Sequence, residues 1–250
     1  MNKSLDIIIP FFHKMKEFTA VFPLNKQYLC NNNIKIIICM DESDSEKELV
    51  NFVSQYPDIK FKIIINRKKH TWRSPTKAIN VGIKNSNSDY ILIVSPESKF
   101  VGNLPAMMLN NVSSSTACIG RLNSSGYGDF LFFGEEYVMN KFKFNNGIHY
   151  YGSICFPRNA AILVGGYDEC MDKWGGDDDN FRARLKLNGT KILTDENINI
   201  LHLVFEYNIN HKYEKNSLPI DYIYNPTSKI CNKCFDTWGD DFSEVIFNNY

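Results

Sequence analysis

Residues 74–94 read SPTKAINVGIKNSNSDYILIV. Pro75 suits the first turn of a helix, where its missing amide hydrogen would have had no partner, and a helix-length segment follows to about residue 86. Tyr90 to Val94 then forms a short run, apolar at nearly every position, as expected of a strand buried on both faces. Runs of the same kind lie upstream: Leu5 to Phe11 (LDIIIPF), Lys35 to Met40 (KIIICM) and Phe61 to Ile65 (FKIII). Helix-length segments separate them, one around 13–30 and one around 45–56 behind the cap candidates Asp44 and Ser45. Strand and helix alternating at this spacing make right-handed βαβ crossovers. The chain is therefore predicted to be an α/β protein with a mostly parallel, doubly wound central sheet and helices on both faces. Ligands of such sheets bind beyond the carboxyl ends of the strands, which here are Phe11-Phe12-His13, Asp41-Glu42-Ser43, Asn66-Arg67 and Ser95-Pro96-Glu97.

The chain has 250 residues, 44% hydrophobic and 14% aromatic, enough for one sizeable core at the upper end of single-domain lengths. Lysine plus arginine balance aspartate plus glutamate at 28 each, so no net charge argues for a nucleic-acid or anionic-membrane partner. The longest apolar runs, IIIPFF and YILIV, fall far short of the roughly 20 residues that span a bilayer, and MNKSLDIIIP enters a strand without a signal-peptide cleavage pattern. The expectation is a soluble, cytoplasmic protein without nucleic acid or a transmembrane segment, with peripheral membrane contact left open. Seven cysteines, several in apolar segments, argue against a disulfide framework. Only Cys231 and Cys234 have metal-like or redox-like spacing, with no second ligand pair nearby.

The second half is less regular. Residues 113–150, including GYGDFLFFGEEYVMNKFKF, read as short antiparallel strands and loops, with most of their phenylalanines in the core. A helix is expected after Asp179. The C-terminal 45 residues, rich in Asn, Tyr and Lys, show no clear periodicity.

Carboxylates stand at three informative places. Asp41 ends the second strand, where it either accepts hydrogen bonds from a base or ribose or makes the turn and caps the next helix. Glu97 ends the fourth, where it either holds a divalent cation against a diphosphate or is an exposed residue of a proline turn. Asp177, Asp178 and Asp179 follow Trp174-Gly175-Gly176. Aspartates favour a helix N-terminus, which explains one or two of them. Three adjacent carboxylates raise one another's proton affinity, as suits a general base. The glycines let backbone approach a ligand, and Trp174 offers a flat face on which a sugar ring can stack. His202, in INILHLVF, is either a satisfied core or edge residue or, if a metal is needed, a ligand.

In order and spacing these pieces resemble the family 2 type glycosyltransferases of GT-A fold over roughly residues 4–205. LDIIIPFFHK resembles that family's first strand and its polar exit, IIICMDESD its acidic nucleotide-binding turn, and SPTKAINVGIKNSNSDYILIV its Ala-x-Asn-x-Gly helix and fourth strand. The segment GSICFPRNAAILVGGYDECMDKWGGDDDNFRARLKLNG is similar to the acceptor half of β-1,4-galactosyltransferases, polypeptide N-acetylgalactosaminyltransferases and bacterial chondroitin-type polymerases.

The resemblance implies a GT-A domain over residues 1–205, with a nucleotide-sugar-binding half (1–110) and an acceptor half (111–205), and a C-terminal extension (206–250) packed on it. It places Asp178 as catalytic base, Asp177 beside it with Trp174, Gly175 and Gly176 on the acceptor, and Asp179 as helix cap. Pro10, Phe11, Asp41, Ser43, Arg73, Lys77, Asn80, Ser95 and Pro96 fall along the nucleotide sugar. Ser95-Pro96-Glu97 stands where relatives carry Asp-x-Asp, so either Glu97 and His202 complete a metal site with the diphosphate or metal binding is weak or absent, and Ile79 replaces an expected arginine, leaving Lys77 or Arg73 to supply the positive charge. The implied activity is inverting transfer of a hexose or N-acetylhexosamine from a UDP-sugar to a hydroxyl of a glycan or glycoconjugate, with a divalent metal, Mn²⁺ in preference to Mg²⁺. The rival reading is a non-catalytic nucleotide-sugar or glycan-binding module on the same fold.

Overall fold

A computed structural model describes residues 3–42, 44–71, 73–143, 153–205 and 214–250. The first half is laid down as β1 (Leu5–Phe11), α1 (Met15–Asn25), β2 (Ile34–Asp41), α2 (Glu46–Val53), β3 (Lys60–Asn66), α3 (Thr76–Asn85) and β4 (Tyr90–Ile93). Strands β3, β2, β1 and β4 are neighbours in that order and all parallel, with Leu5 opposite both Ile34 and Tyr90. Because each strand is covered on both faces, its apolar residues point alternately into two cores. Ile7, Ile9 and Phe11 of β1 pack with Phe18 and Phe22 of α1 and with Leu49 of α2. Ile8 packs on the other side, with Ile37, Ala78, Ile79 and Ile83. Helix α3 rests directly on β1 at Gly82, where an added Cβ would come within 2.6 Å of Ile8 Cγ2. Only glycine permits so close an approach.

The second half extends the same sheet with β5 (Ser98–Phe100), α4 (Leu104–Asn111), β6 (Thr116–Gly126), α5 (Tyr127–Lys143), β7 (Ile154–Pro157), α6 (Arg158–Leu163), α7 (Asp177–Leu187), β8 (Lys191–Val204), α8 (Ile220–Tyr224) and β9 (Phe242–Asn248). Among the described residues the sheet order is β5-β8-β6-β7-β4-β1-β2-β3-β9. Strands β7, β5 and β9 run antiparallel to their neighbours, whereas β6 and β8 are parallel to each other. The four-strand centre is parallel and its flanks are mixed.

The expectation of short strands and loops over 113–150 is corrected. Residues 116–126 form one long strand, and 127–143 are helical with a kink at Gly134, where φ is 81°. Tyr127, Phe130 and Val138 supply the inward side of that helix, against Leu201 and Leu203. Their spacing was hidden by Leu131, Phe132 and Phe133, which are 64%, 83% and 50% exposed and therefore not core. Residues 144–152, the rest of that aromatic stretch, lie outside the described residues.

Residues 214–250 share in the sheet and in the core. Strand β9 pairs with β3, and Trp238, 2% exposed, completes the core beneath α3 and α6. No helix among the described residues is long and apolar enough to cross a membrane.

Candidate active site

The parallel strands deliver their carboxyl ends to one edge, and polar residues converge there. Asp41 closes β2 directly opposite Asn66, the last residue of β3. Its Oδ1 accepts hydrogen bonds from Asn66 Nδ2 (2.6 Å) and Arg73 Nη2 (2.9 Å), and its Oδ2 accepts one from Arg73 Nε (2.9 Å). This fork is the strong, geometry-selective form of a charged pair. His70 Nε2 lies 2.9 Å from Asp41 Oδ1 at an angle that makes no hydrogen bond, and its ring stacks on Phe12 with centroids 5.4 Å apart. Arg73 Nη1 also donates to Asp241 Oδ2 at 2.6 Å, and Lys77 Nζ donates to Asp240 and Asp241 at 3.2 Å each. Burial works against the Asp241 charge, but hydrogen bonds from Arg73, Lys77 and Lys68 outweigh it and hold that carboxyl well below the usual range. The expected donor residues Asp41, Arg73 and Lys77 are thus assembled, around an aspartate contributed by the far end of the chain.

Two non-glycine residues at this edge have left-handed backbones, His13 (φ 50°) and Glu42 (φ 82°). They follow β1 and β2, and their side chains meet with His13 Nε2 3.3 Å from Glu42 Oε2. Glu42 Oε1 also accepts the His70 amide at 2.8 Å. Such strain persists where surrounding contacts over-determine the backbone, and it concentrates at functional sites.

Beyond β4, the Ser95-Pro96-Glu97 turn is closed by the Ser98 amide donating to the Ser95 carbonyl at 3.0 Å, and Pro96 is buried. Glu97 is 7% exposed. Its Oε1 lies 3.4 Å from His202 Nε2 and 3.5 Å from Lys14 Nζ, while its Oε2 is buried without a hydrogen-bond partner. The β5–β8 pairing causes this meeting by setting Ser98 opposite His202. Burial lowers the His202 proton affinity against the opposing pull of Glu97, which favours the neutral imidazole that a metal requires. A carboxylate with an orphaned oxygen beside a neutral imidazole fits a divalent cation whose remaining ligands come from phosphate and water. Among the described residues no group of three His, Cys, Asp or Glu side chains could hold a metal by itself. Cys231 and Cys234 belong to no such group, and Cys231 donates its thiol hydrogen to the Gly165 carbonyl at 3.3 Å.

The residues expected on the acceptor side are built around the turn Gly165-Gly166-Tyr167-Asp168-Glu169 and the loop Trp174-Gly175-Gly176. Asn80 locks the turn: its Nδ2 donates to the Tyr167 carbonyl and its Oδ1 accepts the Tyr167 amide, both at 2.7 Å. Asn216 locks the loop, donating from Nδ2 to the carbonyls of Lys173 (2.8 Å) and Gly175 (2.7 Å). Trp174 stands 50% exposed at the tip, with Lys215 Nζ 5.8 Å over its ring. Gly176 is the N-cap of α7, at φ 88°, and an added Cβ would meet Ile223 Cδ1 at 2.9 Å.

Helix α7 therefore begins with all three aspartates in its first turn. Asp177 accepts a hydrogen bond from Ser74 Oγ at 2.9 Å, and Asp178 Oδ1 accepts one from the Tyr167 hydroxyl at 3.3 Å. Burial, followed by the charge of Asp177, pushes the Asp178 carboxyl up to about 7. Asp177 is raised as well, by burial, against hydrogen bonds from Ser74 and nearby amides that favour its charge. Burial and neighbouring carboxylates push Tyr167 well above its ordinary value, so it remains a protonated donor. A carboxyl poised near neutrality and backed by a second one can exchange a proton at physiological pH.

Several sequence expectations need correction. Asn80 is fully buried and engaged by Tyr167, so it shapes the site without surface for a ligand. The Phe11 ring is 2% exposed and packs edge-on against Phe18, leaving only backbone to offer. Asp179 pairs with Arg182 and makes no cap, because Gly176 holds that position. Ser43 lies outside the described residues. Sequence reasoning missed Lys14, His70, Ser74, Asn216 and Asp241. Only Tyr167, inside the GGYDE turn, carried a local signal.

Over residues 136–207 the sequence matches a family model described as the N-terminal domain of galactosyltransferase. No curated protein matches the chain. Among solved structures, the chain is similar to the mannosyltransferase PcManGT from Pyrobaculum calidifontis in complex with GDP-Man and Mn²⁺ (TM-score 0.57, 11% identity, 83% of this chain and 59% of that one). It is also similar to GalNAc-T7 with UDP, GalNAc and Mn²⁺ (0.58, 13%, 82% and 44%). A third likeness is to TarS from S. aureus (0.56, 11%, 80% and 37%). The chain spans between 37% and 59% of the lengths of these proteins. The likeness shows the fold: this chain has the GT-A fold of glycosyltransferases, with an α/β domain around a central sheet whose core strands are parallel.

Proposed function

We propose that this protein is an inverting glycosyltransferase that moves a hexose or N-acetylhexosamine from a UDP-sugar to a hydroxyl of a glycan or glycoconjugate. The observation that carries the reading is Asp178, a carboxyl pushed up to about 7 at the start of α7, directly behind the Trp174-Gly175-Gly176 loop. Asp178 takes the proton of the acceptor hydroxyl as its oxygen forms a bond to the anomeric carbon. The bond from that carbon to the diphosphate breaks on the opposite face, and the nucleoside diphosphate leaves with the electron pair. Trp174 stacks on the acceptor ring and Asp177 receives an acceptor hydroxyl. Arg73, forked onto Asp41, and Lys77, which joins it on Asp241, serve the nucleotide side. Glu97 and His202 would hold a divalent ion, Mn²⁺ in preference to Mg²⁺ because one ligand is an imidazole, and that ion would offset the charge of the leaving diphosphate. UDP is preferred to GDP on the likeness to galactosyltransferase and GalNAc-T7, although PcManGT is described with GDP-Man.

The test is incubation with Mn²⁺ and a panel of UDP- and GDP-sugars, scoring release of the nucleoside diphosphate with and without glycan acceptors. Release from one donor supports the enzyme, binding without release supports a non-catalytic module, and no binding overturns both. Asp178→Asn should retain donor binding and lose about 100- to 10,000-fold in turnover. Unchanged turnover would remove Asp178 from its role.

A further inference from the structure

We infer that Ser74 is a positioning residue of the transfer reaction: its hydroxyl holds Asp177 as a carboxylate against Asp178 and ties the acceptor side of the site to the donor side. This rests on Asp178 as the base.

The argument begins with adjacency. Arg73 and Ser74 are neighbours in the chain, yet their side chains face different halves of the site. Arg73 forks onto Asp41 and reaches Asp241, while Ser74 Oγ donates to Asp177 Oδ2 at 2.9 Å. Ser74 is 2% exposed, and its amide donates to the Asp172 carbonyl at 2.7 Å, just ahead of the Trp174 loop. The residue is thus held twice, its amide by the loop and its hydroxyl by the start of α7.

A hydroxyl aimed at a carboxylate favours its charged form. Asp178 is faced by Tyr167 from the glycine turn and by Asp177, Asp179 and Arg182 from its own helix. Asp177 has the nearer donor, Ser74 Oγ at 2.9 Å with backbone amides beside it, against the Tyr167 hydroxyl at 3.3 Å for Asp178, so the proton of the coupled pair is steered onto Asp178. That leaves Asp177 free to accept an acceptor hydroxyl while Asp178 stays near neutrality. Removing the donor lets the proton move onto Asp177 and brings the two titrations together. A shift in Arg73 on donor binding would be transmitted through a single peptide unit to Ser74.

The experiment is carboxyl ¹³C NMR titration of aspartate-labelled protein, with signals assigned through Asp177→Asn and Asp178→Asn. In Ser74→Ala the Asp177 titration should rise by about one pH unit, the weight of one hydrogen bond to a charged group. Ser74→Thr keeps the hydroxyl and should restore the original curve. The acid limb of kcat/KM for acceptor, which Asp178 sets, should move downward in Ser74→Ala as the proton passes to Asp177, and return in Ser74→Thr. An Asp177 titration unchanged in Ser74→Ala overturns the assignment, as does a rise that Ser74→Thr shares. If the native protein transfers no sugar, the glycosyltransferase reading fails while the titration still decides what Ser74 does to Asp177.

Discussion

Asp178 keeps a proton in the folded protein at pH values where the unfolded chain, with an ordinary aspartate near 3.9, has released it. Between about pH 4 and 7 the native state binds more protons than the unfolded state, so this group's contribution falls as pH rises. Asp178→Asn has no charge to bury. It should be the more stable protein at pH 8 by thermal melting, and the gap should close towards pH 4. An equal difference at both pH values would mean that Asp178 is not the group that burial perturbs. Asp178 and its two neighbours were legible in the sequence because three consecutive carboxylates after two glycines have few purposes. Asn80 was legible as a position but not as a role. Two of its bonds run to Tyr167, 87 residues away, and a third to Glu169, and nothing local to α3 announces those partners.

Helix α7 shows what local chemistry specifies and what it leaves open. Its N-terminus was visible as an acidic first turn, and its cap falls to Gly176, whose positive φ makes a non-glycine residue cost about 1–2 kcal/mol. Gly175 shares the positive φ but has open space where a Cβ would go, whereas at Gly176 that atom would strike Ile223. Gly176→Ala should therefore lower the unfolding free energy more than Gly175→Ala, measured by urea denaturation. Equal losses would show that only backbone strain matters there. Helix α5 was misread for the opposite reason. Its outward residues are as apolar as its inward ones, so the period that distinguishes helix from strand is absent from the composition.

On the scale of the molecule, the end of the chain returns to the beginning of the site. Strand β9 closes the β3 edge, Trp238 fills the core beneath α3, and Asp241 holds Arg73 and Lys77. Trp238→Ala should cost about 3–5 kcal/mol, the usual price of emptying a large buried aromatic site. Its urea midpoint should fall accordingly, and UDP binding by calorimetry should weaken because the Asp240-Asp241 turn loses its footing. A midpoint close to that of the native protein would place Trp238 outside the core. None of this was legible in residues 206–250. Residues 214–250 lack periodicity because β9 is mostly exposed and the rest contributes single residues, such as Trp238 and Asp241, to contacts built by other elements.

The sequence by itself determined the parallel centre of the sheet, because strands buried on both faces must be apolar throughout and crossover helices must separate them. It also determined the candidate base, because an acidic, glycine-led helix start is written in consecutive residues. Only the tertiary structure decided that Glu97 meets His202, that Ser74 meets Asp177 and that Asp241 meets Arg73. Those partners are separated by about a hundred residues or more, and strand pairing and helix packing bring them together. Such long-range contacts leave no local period or composition for a single sequence to display.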